Sequence, residues 1–310
     1  MQQKDIGKKP TLFQRMWKYR AVYALLIPGI IWYVVFAYFP MVGLSLAFKT
    51  YKARLGILGS PWVGMANFAN VFRDPAFLAS VKTTLLINLG RIPFEFPIPL
   101  ILAILLNEIR SRRYKKVLQT IFTFPQFLSW VIIAGILINL LSSTGLVNSL
   151  MNAMGLGRIN FLGSSNVFIP MIYVTDNWKS AGWSAIIYLA AIAGIDTSQF
   201  EAAEIDGASR IKQIFYITLP NLMPTISVLF ILSMGGLMSA GFDQLFNMSN
   251  DAVRNSTEIL DMYIYRITFQ STPDFSFSMA VSLFRSVINL VLLVIADRGA
   301  KLLSGSGLFA

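Results

Sequence analysis

Residues 201–220 read EAAEIDGASRIKQIFYITLP, a segment with three carboxylates (Glu201, Glu204, Asp206), two cations (Arg210, Lys212) and a closing proline, Pro220. It interrupts a 310-residue chain in which 55% of residues are hydrophobic and only 13% charged. The mean hydropathy is +0.61, a composition that belongs to the membrane class. A charged, helix-forming segment between apolar runs therefore marks a place where the chain leaves the bilayer. Ser198-Gln199-Phe200-Glu201 has the S-x-x-E spacing of a capping box, which predicts a helix starting at Ser198. Gly207 is placed to end that helix, Ala208 to Phe215 to form a second short one, and Pro220 with Pro224 to bound the next apolar run.

Working outward, a helix needs about 20 mostly apolar residues to cross a bilayer, because no water is present there to satisfy backbone polar groups. Six segments meet or approach that length: Ala21 to Phe48, Thr83 to Leu106, Val117 to Leu141, Phe168 to Ile195, Asn221 to Phe242 and Phe277 to Ala296. The expected fold class is an all-α integral membrane protein with six transmembrane helices. The 28 uncharged residues from Ala21 to Phe48 exceed a signal-peptide core of about 7–15 residues, so this segment is read as the first span. Pro93, Pro97 and Pro99 predict a kink in the second span, and Gly235-Gly236 a loose point in the fifth.

The net charge of +11 does not imply nucleic acid, since the cations flank apolar runs and gather on no water-facing domain. With the N-terminus inside, 15 Lys and Arg residues fall on the inner side and eight on the outer, as the positive-inside rule requires. The domain reading is a basic cytoplasmic N-terminus at 1–20, then one transmembrane domain at 21–310, with the charged loop at 196–220 and both termini cytoplasmic. Cys and His are absent, which removes thiol and histidine chemistry and zinc sites of the usual ligands. No catalytic or metal residue is assigned, and no G-x-x-x-x-G-K-[ST] phosphate loop occurs in the sequence.

An amphipathic connector lying on the headgroups is the simplest account of residues 196–220. Three carboxylates facing an anionic inner leaflet fit that poorly, and a protein partner fits better. The segment resembles the EAA signature of binding-protein-dependent ABC importer permeases: E-A-A, three residues, G, nine residues, I-x-L-P, met here by Glu201, Ala202, Ala203, Gly207, Ile217, Leu219 and Pro220. The resemblance implies a type I importer-like permease in which this loop is the coupling helix, docked in a groove of a separate ATPase, with Asp206 beside the matched positions. A second stretch, WVGMANFANVFRDPAFLASVKTTL (Trp62 to Leu85), is similar to the outer-loop pattern of carbohydrate importers at Gly64, Asn67, Phe68, Asp74, Pro75, Phe77 and Thr84. Together with YALLIPGIIWYVVFAYFPMVGLSLAF and FPQFLSWVIIAGI, this resembles the oligosaccharide or polysaccharide branch, maltose-permease-like.

That resemblance implies a second homologous permease, two ATP-binding subunits carrying ATP and magnesium, an external solute-binding protein (often a lipoprotein), an oligosaccharide substrate, and a bacterial or archaeal cell membrane. It implies no cofactor in this chain. Charges inside spans are costly and are functional candidates by default. Arg91 with Glu95, and Asp176 with Lys179, are spaced to pair on one helix face, so each pair either neutralises itself or lines a path. Arg285 either meets Asp243 or faces a cavity, where it would suit a sugar carboxylate. Asn177, Lys179, Trp183, Tyr188, Ser239, Asp243, Asn247 and Arg285 are the pathway candidates, with ordinary helix packing as the alternative for each. Rival readings are an ABC permease for a non-carbohydrate solute and a membrane-embedded carboxylate enzyme.

Overall fold

A computed structural model describes residues 17–270 and 272–304; Lys4, Lys8, Lys9 and Arg15 of the basic N-terminus lie outside them. Helices joined by turns and loops make up the described residues, with one isolated antiparallel bridge between Lys49 and Trp62 among them. Five helical runs are long and apolar enough to cross a membrane: Arg20–Phe48, Pro75–Glu108, Trp130–Ala153, Arg210–Gly235 and Phe275–Leu302. The helix Ser165–Ala193, taken with Thr197–Ile205 beyond a 71° bend, makes the sixth. The expected all-α membrane architecture is thus the one found.

The chain divides into two compact units. One holds the described part of Met1–Ala69 with Asp274–Ala280. Here Arg20–Tyr33 continues through a wide turn at Val34–Tyr38 into a tight helix at Phe39–Phe48. None of Arg20–Tyr33 is buried, as suits a helix solvated by lipid. Beyond it the Asn67 amide donates to the carbonyls of Ala47 and Lys49, both at 2.9 Å. Phe48 stacks on Trp62 and leans on Phe68, and Gly64 takes a φ of +60° that side chains with a Cβ avoid.

The other unit holds Asn70–Pro273 and the described part of Val281–Ala310. Its second span runs as Pro75–Glu95 and Pro97–Glu108, joined at Phe96. The expected proline break is there because Pro97 and Pro99 each remove an amide from the helical ladder. The third segment departs from the sequence reading, which made Val117 to Leu141 continuous. A helix at Arg112–Thr123 passes into a tight turn at Phe124–Phe127, and a new helix starts at Trp130, where the Ser129 hydroxyl accepts from Ile132 N. Pro125 and this capping serine together interrupt an otherwise apolar run.

The fifth span also differs from expectation. It starts at Arg210 instead of Asn221 and ends at Gly235 instead of Phe242. Pro220 does not bound it. The helix passes that proline through a π turn at Ile214–Thr218, a widening of the ladder that accommodates the missing N–H and the ring. Gly235 and Gly236 end the helix, a stronger effect than loosening. The chain then turns through Gly241, at a φ of +87°, into Phe242–Met248.

Candidate functional site

A buried polar cluster joins the second span, the fourth span and the turn after the fifth. Arg91, 4% exposed, donates through Nη2 to Gln244 Oε1 at 2.7 Å and faces Asp176 with Nη1 3.6 Å from Oδ2. Gln244 in turn donates to Ile172 O at 2.8 Å and Thr175 Oγ1 at 2.9 Å. One turn before Arg91, the Asn88 amide donates to Leu237 O at 2.6 Å and Ala240 O at 3.3 Å. A Cβ on Gly241 would lie 2.7 Å from Arg91 Nη2, so glycine is needed there for both its φ and its closeness. The spacing-based pairs are therefore corrected: Arg91 reaches across to Asp176, and Lys179 turns away to donate to Gln126 O at 2.8 Å, above the Trp130 ring. A charge in a low-dielectric interior takes the partner that also completes its hydrogen bonds, whichever helix carries it.

Glu95 stands beside Asp176, and the two open onto a cavity of about 260 Å³ lined also by Phe96, Ser180, Ser184 and Tyr188. Of the sequence-selected candidates, Tyr188 reaches this cavity, although its ring is 2% exposed and packs with Ala103, Ala185 and Leu222. Trp183 is exposed and meets Phe127 edge-on. Asn177 is buried, donating to Tyr173 O at 3.1 Å with its Oδ1 unpartnered. Ser239 is exposed and accepts from Asn289. Asn247 donates to the backbone of exposed Asp243 at 2.7 Å. Arg285 pairs with Asp261, neither with Asp243 nor with open space, because the connection before the sixth span brings Asp261 to it. Sequence reasoning missed Asn88, Gln244 and Asp261, which join through tertiary contacts at separations no helical spacing reveals.

The charged loop is a self-braced helix-turn-helix. Its helix is Thr197–Ile205, capped by Asp196, whose Oδ1 accepts from Ser198 N at 3.0 Å. The expected capping box is therefore corrected, since Ser198 lies inside the helix as donor. That exposed bond holds the Asp196 carboxyl below its ordinary range. Gly207, at a φ of +71°, closes the helix, with Ala208 N donating back to Ala203 O at 2.8 Å. Glu204 pairs with Arg210 at 3.3 Å, and the Asn221 amide donates to Gln199 at 3.0 Å, tying the two arms. Glu201, Ala202, Asp206 and Gly207 are exposed, whereas Ile217 and Leu219 are half-buried, with Ile217 inside the π turn and Leu219 and Pro220 just beyond it. Around the tip, Ile205 is 88% and Ile211 68% exposed, with Phe215 and Tyr216 also bare.

The carbohydrate-importer pattern proves to be a set of structural clasps. Asp74 caps the second span at Ala76 N and accepts from the Tyr263 hydroxyl at 2.6 Å. Burial, with that bond, pushes the Tyr263 phenol well above the usual tyrosine range. Phe77 is fully buried against Phe72, Tyr263 and Phe284, and Thr84 Oγ1 accepts from Leu260 N at 2.7 Å.

Residues 97–304 match the family of binding-protein-dependent transport system inner membrane components. The chain belongs to this family. The permease is 38% identical over 303 residues to the polygalacturonan/rhamnogalacturonan transport system permease protein YteP of Bacillus subtilis (strain 168), covering 97% of this chain and 94% of that one. It is 40% identical over 289 residues to Protein LplB of the same organism, covering 93% and 91%. Its fold matches a bacterial ABC transporter involved in the import of the acidic polysaccharide alginate, with a TM-score of 0.86 at 35% identity over 94% of this chain and 98% of that one. It matches the same kind of transporter in complex with an alginate pentasaccharide-bound periplasmic protein with a TM-score of 0.87 at 34% identity, over 96% and 99%. The permease is thus a multi-pass transport subunit and not itself an enzyme.

Proposed function

We propose that this permease carries an oligosaccharide, delivered by an external solute-binding protein, through a pathway opened by a separate ATPase that docks on Thr197–Pro220. The observation that carries the proposal is the bare apolar tip of the helix-turn-helix: Ile205 and Ile211 stand in solvent on either side of an exposed glycine turn. Apolar side chains held out by a rigid, self-braced loop are an interaction surface waiting for a protein groove. The fourth span leads from that tip to the cavity at Glu95, Asp176 and Tyr188, so docking and pathway share one helix across its 71° bend. Sugar as cargo rests on the relatives, and the cavity's serine, tyrosine and carboxylate groups suit hydroxyl-rich cargo. A second permease completes the pathway, both termini and the loop face the cytoplasm, and ATP with magnesium resides on the partner.

The test is ATP hydrolysis by the reconstituted complex, with and without loaded binding protein, for the native chain and Gly207→Asp. Nothing lies within 4 Å of a Cβ at this position, so the substitution acts through the positive φ and through the partner surface. Stimulation by loaded receptor is expected to disappear while insertion and assembly persist. Unchanged stimulation would remove the coupling role from this loop.

A further inference from the structure

The connection between the fifth and sixth spans holds a second cavity, of about 270 Å³, whose walls include Phe246, Ser249, Asn250, Arg254, Tyr265 and Gln270. We propose that it is a sugar subsite that takes one hexuronate unit of the incoming oligosaccharide. The proposal rests on the reading above: with the loop at Thr197–Pro220 cytoplasmic, this connection lies one crossing away, on the side of the binding protein.

Four features point there. The wall is aromatic and fixed: Phe242 stacks on Phe246, Phe246 meets Tyr265 edge-on at 4.8 Å, and Tyr265 leans on Phe269. A pyranose ring packs its C–H face on such surfaces while its hydroxyls turn to polar neighbours. Those neighbours are the exposed planar amides of Asn250 and Gln270, with the Ser249 hydroxyl buried behind them. The volume lies just below the roughly 300–1,000 Å³ of drug-sized pockets, room for one ring and not for a chain.

The charge pattern selects an acid. Glu258 is held in a two-point pair by Arg266, at 2.7 and 3.3 Å, so it is already neutralised and forms a rigid part of the wall. Among the described residues Arg254 is held only by Asp251, at 3.2 Å, with both side chains more than half exposed. An exposed pair of this kind is worth little, and a guanidinium exchanges it readily for a carboxylate presented in two-point geometry by a docked sugar.

The test uses the full complex with its binding protein in proteoliposomes and measures uptake of a trigalacturonide and of its carboxyl-reduced neutral counterpart. The same receptor serves every variant, so its own preference cancels and any change in the uptake ratio belongs to the permease. Arg254→Gln is expected to lower the acid-to-neutral ratio by roughly tenfold, the loss of one charge-assisted contact. Arg254→Lys is expected to restore part of it, and Arg158→Gln, an exposed cation in a different connection, to leave it unchanged. A ratio untouched by Arg254→Gln, or lowered equally by Arg158→Gln, overturns the subsite and leaves the importer reading standing. If the native complex imports neither sugar, the hexuronate subsite is overturned, while the broader oligosaccharide reading is left to other cargo.

Discussion

Arg91 shows how one residue fixes three elements. Its guanidinium, 4% exposed, carries Asp176 and Gln244 together, so removing it leaves the mostly buried Asp176 carboxylate beside Glu95 without its guanidinium partner. Arg91→Ala is expected to destabilise the permease by about 3–5 kcal/mol, read as a lowered unfolding midpoint in detergent. The double variant with Asp176→Asn is expected to recover part of that loss, since no bare charge then remains. The sequence marked Arg91 and Asp176 as costly charges but paired them along their own helices, because spacing reports only neighbours on one helix. Asp196 gives a residue-level pH dependence. Its folded pKa lies below the unfolded value because its carboxylate accepts from Ser198 N. Its contribution is therefore present above the unfolded pKa of about 3.9 and lost as pH falls through the folded one. The protection factor at the Ser198 amide, taken against the intrinsic exchange rate at each pH, is expected to fall in acid in the native chain and to be low at all pH values in Asp196→Ala.

At the scale of elements, apolar length located the spans, while prolines and close contacts decided where each began, broke or ended. The fourth span illustrates the contacts. A Cβ on Gly182 would sit 2.1 Å from Phe122 O, so the third segment's backbone rests directly on this glycine. Gly182→Val is expected to force the two apart, at about 1–3 kcal/mol or more, and to weaken the Lys179 to Gln126 bond one turn away. The readout is a lowered unfolding midpoint together with altered quenching of Trp183 beside Phe127. Pro220 makes the complementary point. A proline reads as a helix boundary in one dimension, yet a π turn let the fifth span continue through it to Arg210, a solution visible only in the backbone.

For the whole molecule, the orientation we propose rests on the distribution of cations and has a clean test, since the chain contains no cysteine. Lys212→Cys, exposed on the charged loop, and Asn255→Cys, exposed between the fifth and sixth spans, are expected to react with an impermeant maleimide from opposite sides. Lys212→Cys should label only in inverted vesicles, and Asn255→Cys only in right-side-out ones. Labelling of both from the same side would mean an even number of crossings between them, whereas a single fifth span requires one; it would make that span re-entrant.

The sequence by itself determined the membrane class, the helical fold and the approximate spans, and it carries at 201–220 a resemblance to a signature of the family. These are properties of composition, period and local pattern, and each is written in contiguous residues. Only the tertiary structure decided which charges pair and that the pattern from Gly64 to Thr84 consists of clasps. Those outcomes depend on residues far apart in the chain arriving at one depth, and a buried polar group settles on whichever arriving partner satisfies it most completely.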